Sequence, residues 1–432
     1  MNDDALIDSH LAWRRLAAAM ILMAIGGSGM YSMVVALPLV QADFGASRSD
    51  VSLVYSLTMI GFGVGGVLMG RLSDRYGPMV PVMGGSLCLS LGYIAAGASQ
   101  NLLQLALAHG LMVGLLGASA TFGPLISDAA LWFRKHRGIA VSLCASGNYF
   151  AGALWPPVMQ FFVDRVGWRG TFTGMGVFCL VMVPVSLMLR RRPPHTGTSA
   201  GTSAAASGSS VAAGAGAGEA TTLSPDDPHA RPLGFTPGVL LFLLCIAGVG
   251  CCVAMAMPQV HMIAYCGDLG YAAARGAEMI SLMLGFGVVS RLISGWIADR
   301  IGGLRTLLLG AVLQSIALML FLPFDGLAAL YVVSMLFGLF QGGLVPAYAL
   351  IIREYFPARG AAMRVGVVLM ATLFGMALGG WLPGAIFDFS GSYRAAFANA
   401  VAWNALTIAI AAMLLYRAKR IDRPLRAVPA AV

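Results

Sequence analysis

Charge is scarce in this chain. Only 10% of its 432 residues are charged, whereas a soluble domain carries about a quarter. With 58% hydrophobic residues and a mean hydropathy of +0.81, most of the chain is expected to lie in lipid. Lysine is almost absent, since Lys135 and Lys419 are the only two copies and both lie outside the long apolar runs. Any cation inside an apolar run must therefore be an arginine or a histidine.

Motifs for ATP-driven and metal-dependent chemistry are also missing. The chain has no Gly-x-x-x-x-Gly-Lys loop to cradle phosphates and no His-Glu-x-x-His zinc motif. Its seven cysteines lie in or at the edge of apolar segments, without ligand-like clusters of His or carboxylate, and are interpreted as packing residues. We therefore expect no enzyme, no cofactor, no metal site and no use of ATP as the energy source.

Long apolar runs dominate the sequence instead. A bilayer core about 30 Å thick needs roughly 20 residues of helix, and twelve segments reach that length. They are too long and too continuously apolar to be barrel strands. The first is also too long for a cleaved signal peptide, which is the alternative at that position. The predicted spans are approximately residues 16–38, 51–70, 79–98, 102–126, 138–162, 171–189, 237–263, 277–298, 304–323, 327–350, 361–386 and 395–416.

The basic residues follow the membrane topology. Of the 27 arginines and lysines, 21 fall on one side when the N-terminus is placed there, five fall on the other side, Arg48 among them, and Arg291 alone lies within a span. By the positive-inside rule, both termini are expected in the cytoplasm, and the protein is expected in the cell inner membrane. The net charge of +9 then has a topological cause, so no nucleic-acid partner is expected.

A change of composition divides the chain in two. Residues 191–235 are rich in Ala, Gly, Ser, Thr and Pro and are predicted to form a disordered cytoplasmic linker. This linker separates an N-terminal six-helix bundle, residues 1–190, from a C-terminal six-helix bundle, residues 236–432. Two bundles of equal helix count suggest a duplicated unit.

Repeated loop motifs support the duplication. The segment from Gly70 to Gly77 reads GRLSDRYG, and the segment from Gly295 to Gly302 reads GWIADRIG. Two further loop motifs recur in the same order, with nearly the same shift along the chain that takes Gly70 to Gly295. Three matched loops indicate two repeats of the same orientation in the membrane. The expected fold is an all-α membrane protein with twelve transmembrane helices in two six-helix repeats.

These Gly-x-x-x-Asp-Arg-x-Gly loops resemble the signature loop of the major facilitator superfamily. A narrower resemblance, to the monocarboxylate porter group and its oxalate/formate relatives, rests on the segment from Leu37 to Gly45 and on the segment from Trp132 to Ala140. The resemblance implies a secondary carrier that moves a small organic anion by alternating access.

Charged residues near the inner helix ends are predicted to form a gate. The aspartates of the repeated loops can cap or ion-pair with a neighbouring helix end and so lock one face shut. For one copy alone, a tight turn with solvated charges would be the better interpretation. Asp128, near the inner end of the fourth span, is expected to join the first loop. The predicted gating residues are Asp74, Arg75, Asp128, Asp299 and Arg300.

Arg291 is the first candidate for binding substrate. It lies about seven residues, roughly 10 Å, from the inner end of the eighth span. Its repeat mate is Gly66, so this charge breaks the symmetry of the repeats. A buried guanidinium needs an aqueous cavity and an anionic partner, and its planar fork matches a carboxylate. The resemblance also assigns anion binding to an arginine on this helix. The alternative is a structural ion pair with a carboxylate on another helix.

His261 and Asp268 are the candidates for proton coupling. They lie seven residues apart near the outer end of the seventh span and are predicted to share a helix face. Histidine exchanges protons near neutral pH, and His261 is also a candidate second substrate ligand. The alternative is an interfacial histidine beside a solvated aspartate. Further candidates for the substrate site are Tyr31, Asn148 and Gln341, each of which is equally a residue type that joins helices in a bundle.

A monoanion is the expected substrate. Met33 lies near the place where some monocarboxylate porters carry a lysine, and the eleventh span lacks the lysine of an oxalate porter. The expected partners are a small organic acid, protons and the lipid bilayer, with proton symport as the coupling. Two other functions stay open: a drug or neutral-solute exporter of the same fold, and a membrane sensor that binds ligand without moving it.

Overall fold

The computed structural model describes residues 7–133, 135–190, 232–357 and 360–425. The predicted linker lies outside the described residues as far as residue 231. Every regular element in the described ranges is helical. The helices are α1 (His10–Phe44), α2 (Arg48–Tyr76), α3 (Met79–Gly97), α4 (Leu102–Trp132), α5 (137–166), α6 (168–189), α7 (Pro237–Asp268), α8 (Ala273–Ile301), α9 (Gly303–Leu320), α10 (Leu327–Tyr355), α11 (Ala361–Ser390) and α12 (Tyr393–Leu425).

The helices of the described residues correspond to the twelve spans that the sequence predicts. In the described part of the chain, eleven helices are long and apolar enough to span a membrane. One of these, Ile139–Leu189, contains 51 residues, and Gly167 interrupts it with a φ of 72°. Because glycine adopts positive φ at little cost, Gly167 separates α5 from α6 and brings the number to twelve.

The helix boundaries confirm the two repeats. Helices α2 and α8 each contain 29 residues, and the shift that takes Gly70 to Gly295 also takes the first residue of α2 to the first residue of α8. Both stop at a glycine of nearly identical conformation, with φ 84° and ψ 163° at Gly77 and φ 84° and ψ 164° at Gly302. Positive φ also occurs at Gly45 and Gly270, which the same shift relates. Equivalent helices therefore end at equivalent glycines, where a side chain would add strain.

The outer surface of the bundle is apolar. Leu103, Phe242 and Leu292, on three different helices, are 70%, 64% and 62% exposed. Such large apolar side chains in continuous contact with water would be unfavourable, whereas in a bilayer they face lipid. The chain is therefore a multi-pass membrane protein.

The two repeats meet along two helix pairs. Helix α2 packs on α11, and α5 packs on α8. Glycines allow the first pair to approach closely, because a Cβ atom at Gly384 would lie 2.6 Å from Oγ of Ser52 and a Cβ atom at Gly380 would overlap the ring of Tyr55. Below, the terminal face is the membrane side that holds the N-terminal end of α1 and the C-terminal end of α12. The distal face is the opposite side.

Candidate substrate cavity

A cavity of about 410 Å³ lies between the two repeats. Its wall is formed by α1, α2, α4 and α5 on one side and by α7, α8, α10 and α11 on the other. Asp299 and Arg353, both exposed near the terminal ends of α8 and α10, form part of its rim. The cavity therefore opens toward the terminal face.

Arg291 lines this cavity from α8. Its guanidinium carbon lies 4.5 Å from the ring centroid of Tyr149, and Nη1 donates a long hydrogen bond of 3.4 Å to the carbonyl of Ala145. Its Nε is buried and has no hydrogen-bond partner. No carboxylate in the described part of the chain forms an ion pair with Arg291. The structural ion pair is therefore not formed in this conformation, and the guanidinium can still bind an anion with its remaining donors.

Two of the other predicted substrate ligands also lie on the cavity wall. Tyr31 and Asn148 line it from α1 and α5, close to Arg291 in the central part of the bundle. Gln341 is fully buried and is not among the residues that line the cavity; its Oε1 accepts a 2.9 Å hydrogen bond from Nε2 of Gln259, which does line it. The sequence prediction missed Gln259. A usable signal was present, since it is the single amide in the otherwise apolar stretch before His261.

His261 and Asp268 do not form the predicted pair. The imidazole of His261 is fully buried; its Nε2 donates to the carbonyl of Gly380 at 2.8 Å, and its Nδ1 lies 2.9 Å from the hydroxyl of Tyr393. Asp268 instead accepts two hydrogen bonds from Arg48, of 2.5 and 3.1 Å. Arg48, expected in an external loop, is the first residue of α2 and offers Asp268 a full opposite charge, so Asp268 pairs with Arg48 in this conformation. With both ring nitrogens engaged, His261 is not a direct substrate ligand in this conformation.

Five residues of the two repeats meet at the distal face, and we call them the distal clamp: Arg48, Ser49, Asp268, Asp388 and Tyr393. Besides the Arg48–Asp268 ion pair, the carboxylate of Asp388 accepts the backbone N–H groups of Arg48 and Ser49 at 3.0 and 2.8 Å. A carboxylate of the C-terminal repeat thus caps a helix of the N-terminal repeat. The Arg48 guanidinium also lies 5.3 Å from the ring of Tyr393. The clamp therefore holds α2 against α7, α11 and α12.

Asp128 does not contact the loop at Asp74, contrary to the sequence prediction. Its carboxylate accepts hydrogen bonds from Nε and Nη2 of Arg15 at 2.7 and 2.9 Å, and both side chains are 4% exposed or less. Arg15 also donates to the carbonyls of Met188 and Leu189, so the pair joins α1, α4 and α6 within the N-terminal repeat. The prediction failed because the first span was started at residue 16, whereas α1 begins at His10 and buries Arg15.

The other predicted gating residues lie at the terminal face and are exposed. Arg300 stacks on Trp296 of its own helix, with its guanidinium carbon 3.5 Å from the ring. Asp74, Arg75 and Asp299 likewise take part in no ion pair within the described ranges. Their role in gating stays a prediction.

The described residues at the cavity include a cysteine, Cys252, but no group of metal-binding side chains. Within the described residues, no three His, Cys, Asp or Glu side chains are arranged to hold a metal ion. Cys252 lines the cavity, and its Sγ lies 3.7 Å from that of Cys251, which accepts a 3.3 Å hydrogen bond from the hydroxyl of Tyr348. The polar groups on the cavity wall away from the rim include the guanidinium of Arg291, the amides of Asn148 and Gln259, and the hydroxyls of Tyr31 and Tyr149.

Twelve helices in two parallel repeats around a central cavity that opens to one face define a membrane transporter. Comparison with known proteins then gives its family. The chain belongs to the Major Facilitator Superfamily, whose sequence profile matches residues 17–326 and 242–431.

Three named transporters are similar to this chain over most of its length. Monocarboxylate transporter 13 of Rattus norvegicus is 26% identical over 364 residues, which cover 84% of this chain and 79% of the relative. Monocarboxylate transporter 11 of Mus musculus is 26% identical over 413 residues, 90% of this chain and 84% of the relative. The MFS-type transporter pynF of Aspergillus niger is 24% identical over 346 residues, 80% of this chain and 74% of the relative.

A solved structure shows the same fold. The bacterial homologue of the human lysosomal transporter Spinster, in an inward-facing and occupied conformation, matches with a TM-score of 0.69. The match covers 94% of this chain and 96% of that protein. At 14% identity the likeness concerns the fold alone.

Proposed function

We propose that this protein is a secondary active transporter of small organic monocarboxylate anions that works by alternating access and is coupled to protons. Arg291 carries the proposal. Among the described residues that line the cavity, it is the only cation away from the rim, and its buried Nε has no partner. The relatives named monocarboxylate transporters support the same class of anion.

The guanidinium is placed to bind one carboxylate. Two of its N–H groups form parallel hydrogen bonds with the two carboxylate oxygens. Tyr149 stacks against Arg291 and restricts the orientation of the guanidinium plane. Asn148 and Tyr31 add polar contacts from the opposite repeat. A dianion would leave its second carboxylate without a cation in the interior of the cavity, so a monoanion is the better substrate.

We expect alternating access because the cavity is open at one face and closed at the other. The positive-inside rule assigns the terminal face to the cytoplasm, so the conformation described here is open to the cytoplasm and closed outside. Rocking of residues 1–190 against residues 236–432 opens the distal clamp and closes the terminal face around the same site. The chain is then oriented in an inner membrane with both termini in the cytoplasm.

His261 supplies the coupling to protons through the distal clamp. Since the carbonyl of Gly380 only accepts, Nε2 of His261 carries a proton and Nδ1 accepts from the hydroxyl of Tyr393 in the neutral ring. A second proton turns Nδ1 into a donor and forces the Tyr393 hydroxyl to reverse. Tyr393 lies against Arg48, so the change reaches the clamp, and protonation biases the equilibrium between open and closed distal faces.

Uptake by proteoliposomes tests this function. An inward proton gradient should drive labelled lactate above its equilibrium level, whereas lactamide, its neutral amide, should not accumulate. Vesicles without protein and vesicles with Arg291→Ala correct for passive entry of the neutral acid. Equal protein-dependent uptake of acid and amide would favour a neutral-solute exporter, and binding without accumulation would favour a sensor.

A further inference from the structure

Polar side chains are unevenly distributed between the two interfaces that meet at the cavity. Arg291, Asn148 and Tyr149 come from α5 and α8, which form one interface between the repeats. The other interface, with α2, α4 and α11, contributes a threonine, Thr372, whose hydroxyl donates to a carbonyl of its own helix. Its remaining side chains on the wall are apolar: Phe62, Phe122, Ile126, Leu369, Leu373 and Met376. The cavity thus has a cationic pole and an apolar pole.

A side recess lies next to the apolar pole and shares wall residues with it. The rings of Phe62 and Phe122 lie 5.7 Å apart, and both belong to the wall of the cavity and to that of a recess between α2, α4 and α11. The recess has a volume of about 30 Å³, more than the roughly 10–15 Å³ that one water molecule needs. Gly66 lines it, and a Cβ atom built at Gly66 would have no atom within 4 Å. A side chain at this position would therefore have room to extend into the recess.

The internal repeat relates Gly66, which lines the recess, to Arg291, the cation of the cavity. Gly66 and Arg291 are repeat mates that occupy the same position on α2 and α8, counted from the first residue of each helix. At this position the C-terminal repeat has the guanidinium of Arg291, and the N-terminal repeat has Gly66, which has no side chain. A ligand that extends between the two interfaces would place a charged group at one end and an apolar group at the other.

We infer that the substrate is an amphipathic monocarboxylate whose apolar body, a ring or a branched chain, lies against Phe62 and Phe122, and that Gly66 sets the size of body that fits. The inference rests on the proposed function, because it assigns the carboxylate to Arg291. The cavity volume of about 410 Å³ lies within the range of pockets that take drug-sized ligands. An acid of two or three carbons leaves most of the apolar wall in contact with water and gains little affinity from it.

Isothermal titration of the protein in lipid nanodiscs, with empty nanodiscs as the blank, tests the inference. The ligands are propionate, 3-phenylpropionate and 3-phenylpropionamide. We expect 3-phenylpropionate to bind at least about tenfold more tightly than propionate, because each buried methylene equivalent contributes roughly fourfold in affinity. The amide should not bind measurably.

The outcomes separate the two claims. Equal affinity for the two acids overturns the inference and leaves the proposed function intact. Equal affinity for the amide and 3-phenylpropionate overturns the proposed function, because no carboxylate is then recognised. Absence of binding by all three compounds overturns both.

Gly66→Leu tests the location of the apolar body. The new side chain enters the recess without meeting an atom at its Cβ, so the affinity for 3-phenylpropionate should fall about tenfold while that for propionate changes less than about twofold. Gly84→Leu is the matched control, since Gly84 lies on exposed surface of α3 and also has no atom within 4 Å of a built Cβ. Should Gly66→Leu fail to fold, Gly66→Ala should show the same pattern at about threefold. Wild-type affinity for 3-phenylpropionate in the folded Gly66 variant would overturn the inference.

Discussion

The distal and terminal faces of the bundle differ in the bonds that charged side chains form between the two repeats. On the distal face, Arg48 binds Asp268 and Asp388 caps α2, so charged groups of one repeat bond to the other repeat. On the terminal face, Asp74 and Asp299 of the repeated loops are exposed and take part in no ion pair within the described residues. The repeated sequence motifs therefore lie at the open face, whereas residues outside those motifs join the two repeats at the opposite face.

Differences between equivalent positions of the two repeats explain why charged residues join the repeats at the distal face. Asp43 and Asp268 are repeat mates, yet Asp43 binds Arg169 of its own repeat at 2.8 Å, whereas Asp268 binds across the interface. The reason is Arg48, whose position at the start of α8 is taken by Ala273. Arg48 and Arg291 thus both break the symmetry. One joins the two repeats on the distal face, and the other gives the cavity its cation.

Outside the cavity, loss of Arg48 should have the largest effect. Arg48→Ala removes the ion pair to Asp268, so we expect the equilibrium to shift toward an open distal face and gradient-driven uptake to fall at least about tenfold. The measurement is the labelling rate of Cys252, kept as the only cysteine, by an impermeant maleimide added at the distal face. Arg165→Ala is the control, because Arg165 is exposed and contacts Phe161 of its own helix. Unchanged labelling in Arg48→Ala would show that the clamp does not hold this face closed.

A smaller and more selective effect is expected for His261. His261→Ala should slow proton-driven uptake about tenfold while substrate counterflow stays within about threefold, because exchange needs no net proton cycle. Both rates are measured in the same proteoliposomes, with His10→Ala, an exposed histidine at the start of α1, as the control. Equal loss of both activities would instead indicate a role in binding or folding.

The repeated loops should respond more weakly still. Asp74→Asn and Asp299→Asn break no ion pair in this conformation, so thermal stability should be unchanged. Turnover should fall about fivefold, since closure of the terminal face would lose its charged contacts. Asp50→Asn, an exposed aspartate of the distal face, serves as the control. A marked loss of thermal stability would contradict the idea that these charges act only when the terminal face closes.

The smallest effect concerns the predicted linker. Deletion of residues 198–218, which lie outside the described residues, should leave the transport rate within about twofold, because a chain of Gly, Ser and Ala contributes reach and little packing. Uptake rate is measured at matched expression. A larger loss at normal expression would assign the linker a role beyond connection.

The fold was predictable from the sequence because lipid imposes simple rules. Span length, the repeated Gly-x-x-x-Asp-Arg-x-Gly loops and the nearly constant shift between the two repeats can all be read directly from the sequence. The cavity residues Arg291, Tyr31 and Asn148 were found because a polar side chain in a span is costly and therefore conspicuous.

The partners of the charged residues were not predictable in the same way. Arg15 and Arg48 lie at helix ends, where an arginine is equally at home in solvent, and only the packing of distant helices buries them. Their pairing with Asp128 and Asp268 depends on contacts 113 and 220 residues apart. Helical spacing alone led instead to a local pairing of His261 with Asp268.

The most direct test of the central claim is the paired measurement of Arg291→Lys and Arg291→Ala for expression and for uptake of a small monocarboxylate. If Arg291 holds the carboxylate, both variants should insert normally. Arg291→Ala should lose saturable uptake, and Arg291→Lys should bind at least about tenfold more weakly, because an ammonium cannot reproduce the two-pronged contact. Arg275→Lys, at an exposed position at the distal end of the same helix, controls for the change of residue type. Poor expression of Arg291→Ala together with near-normal uptake by Arg291→Lys would show a structural charge and contradict the account.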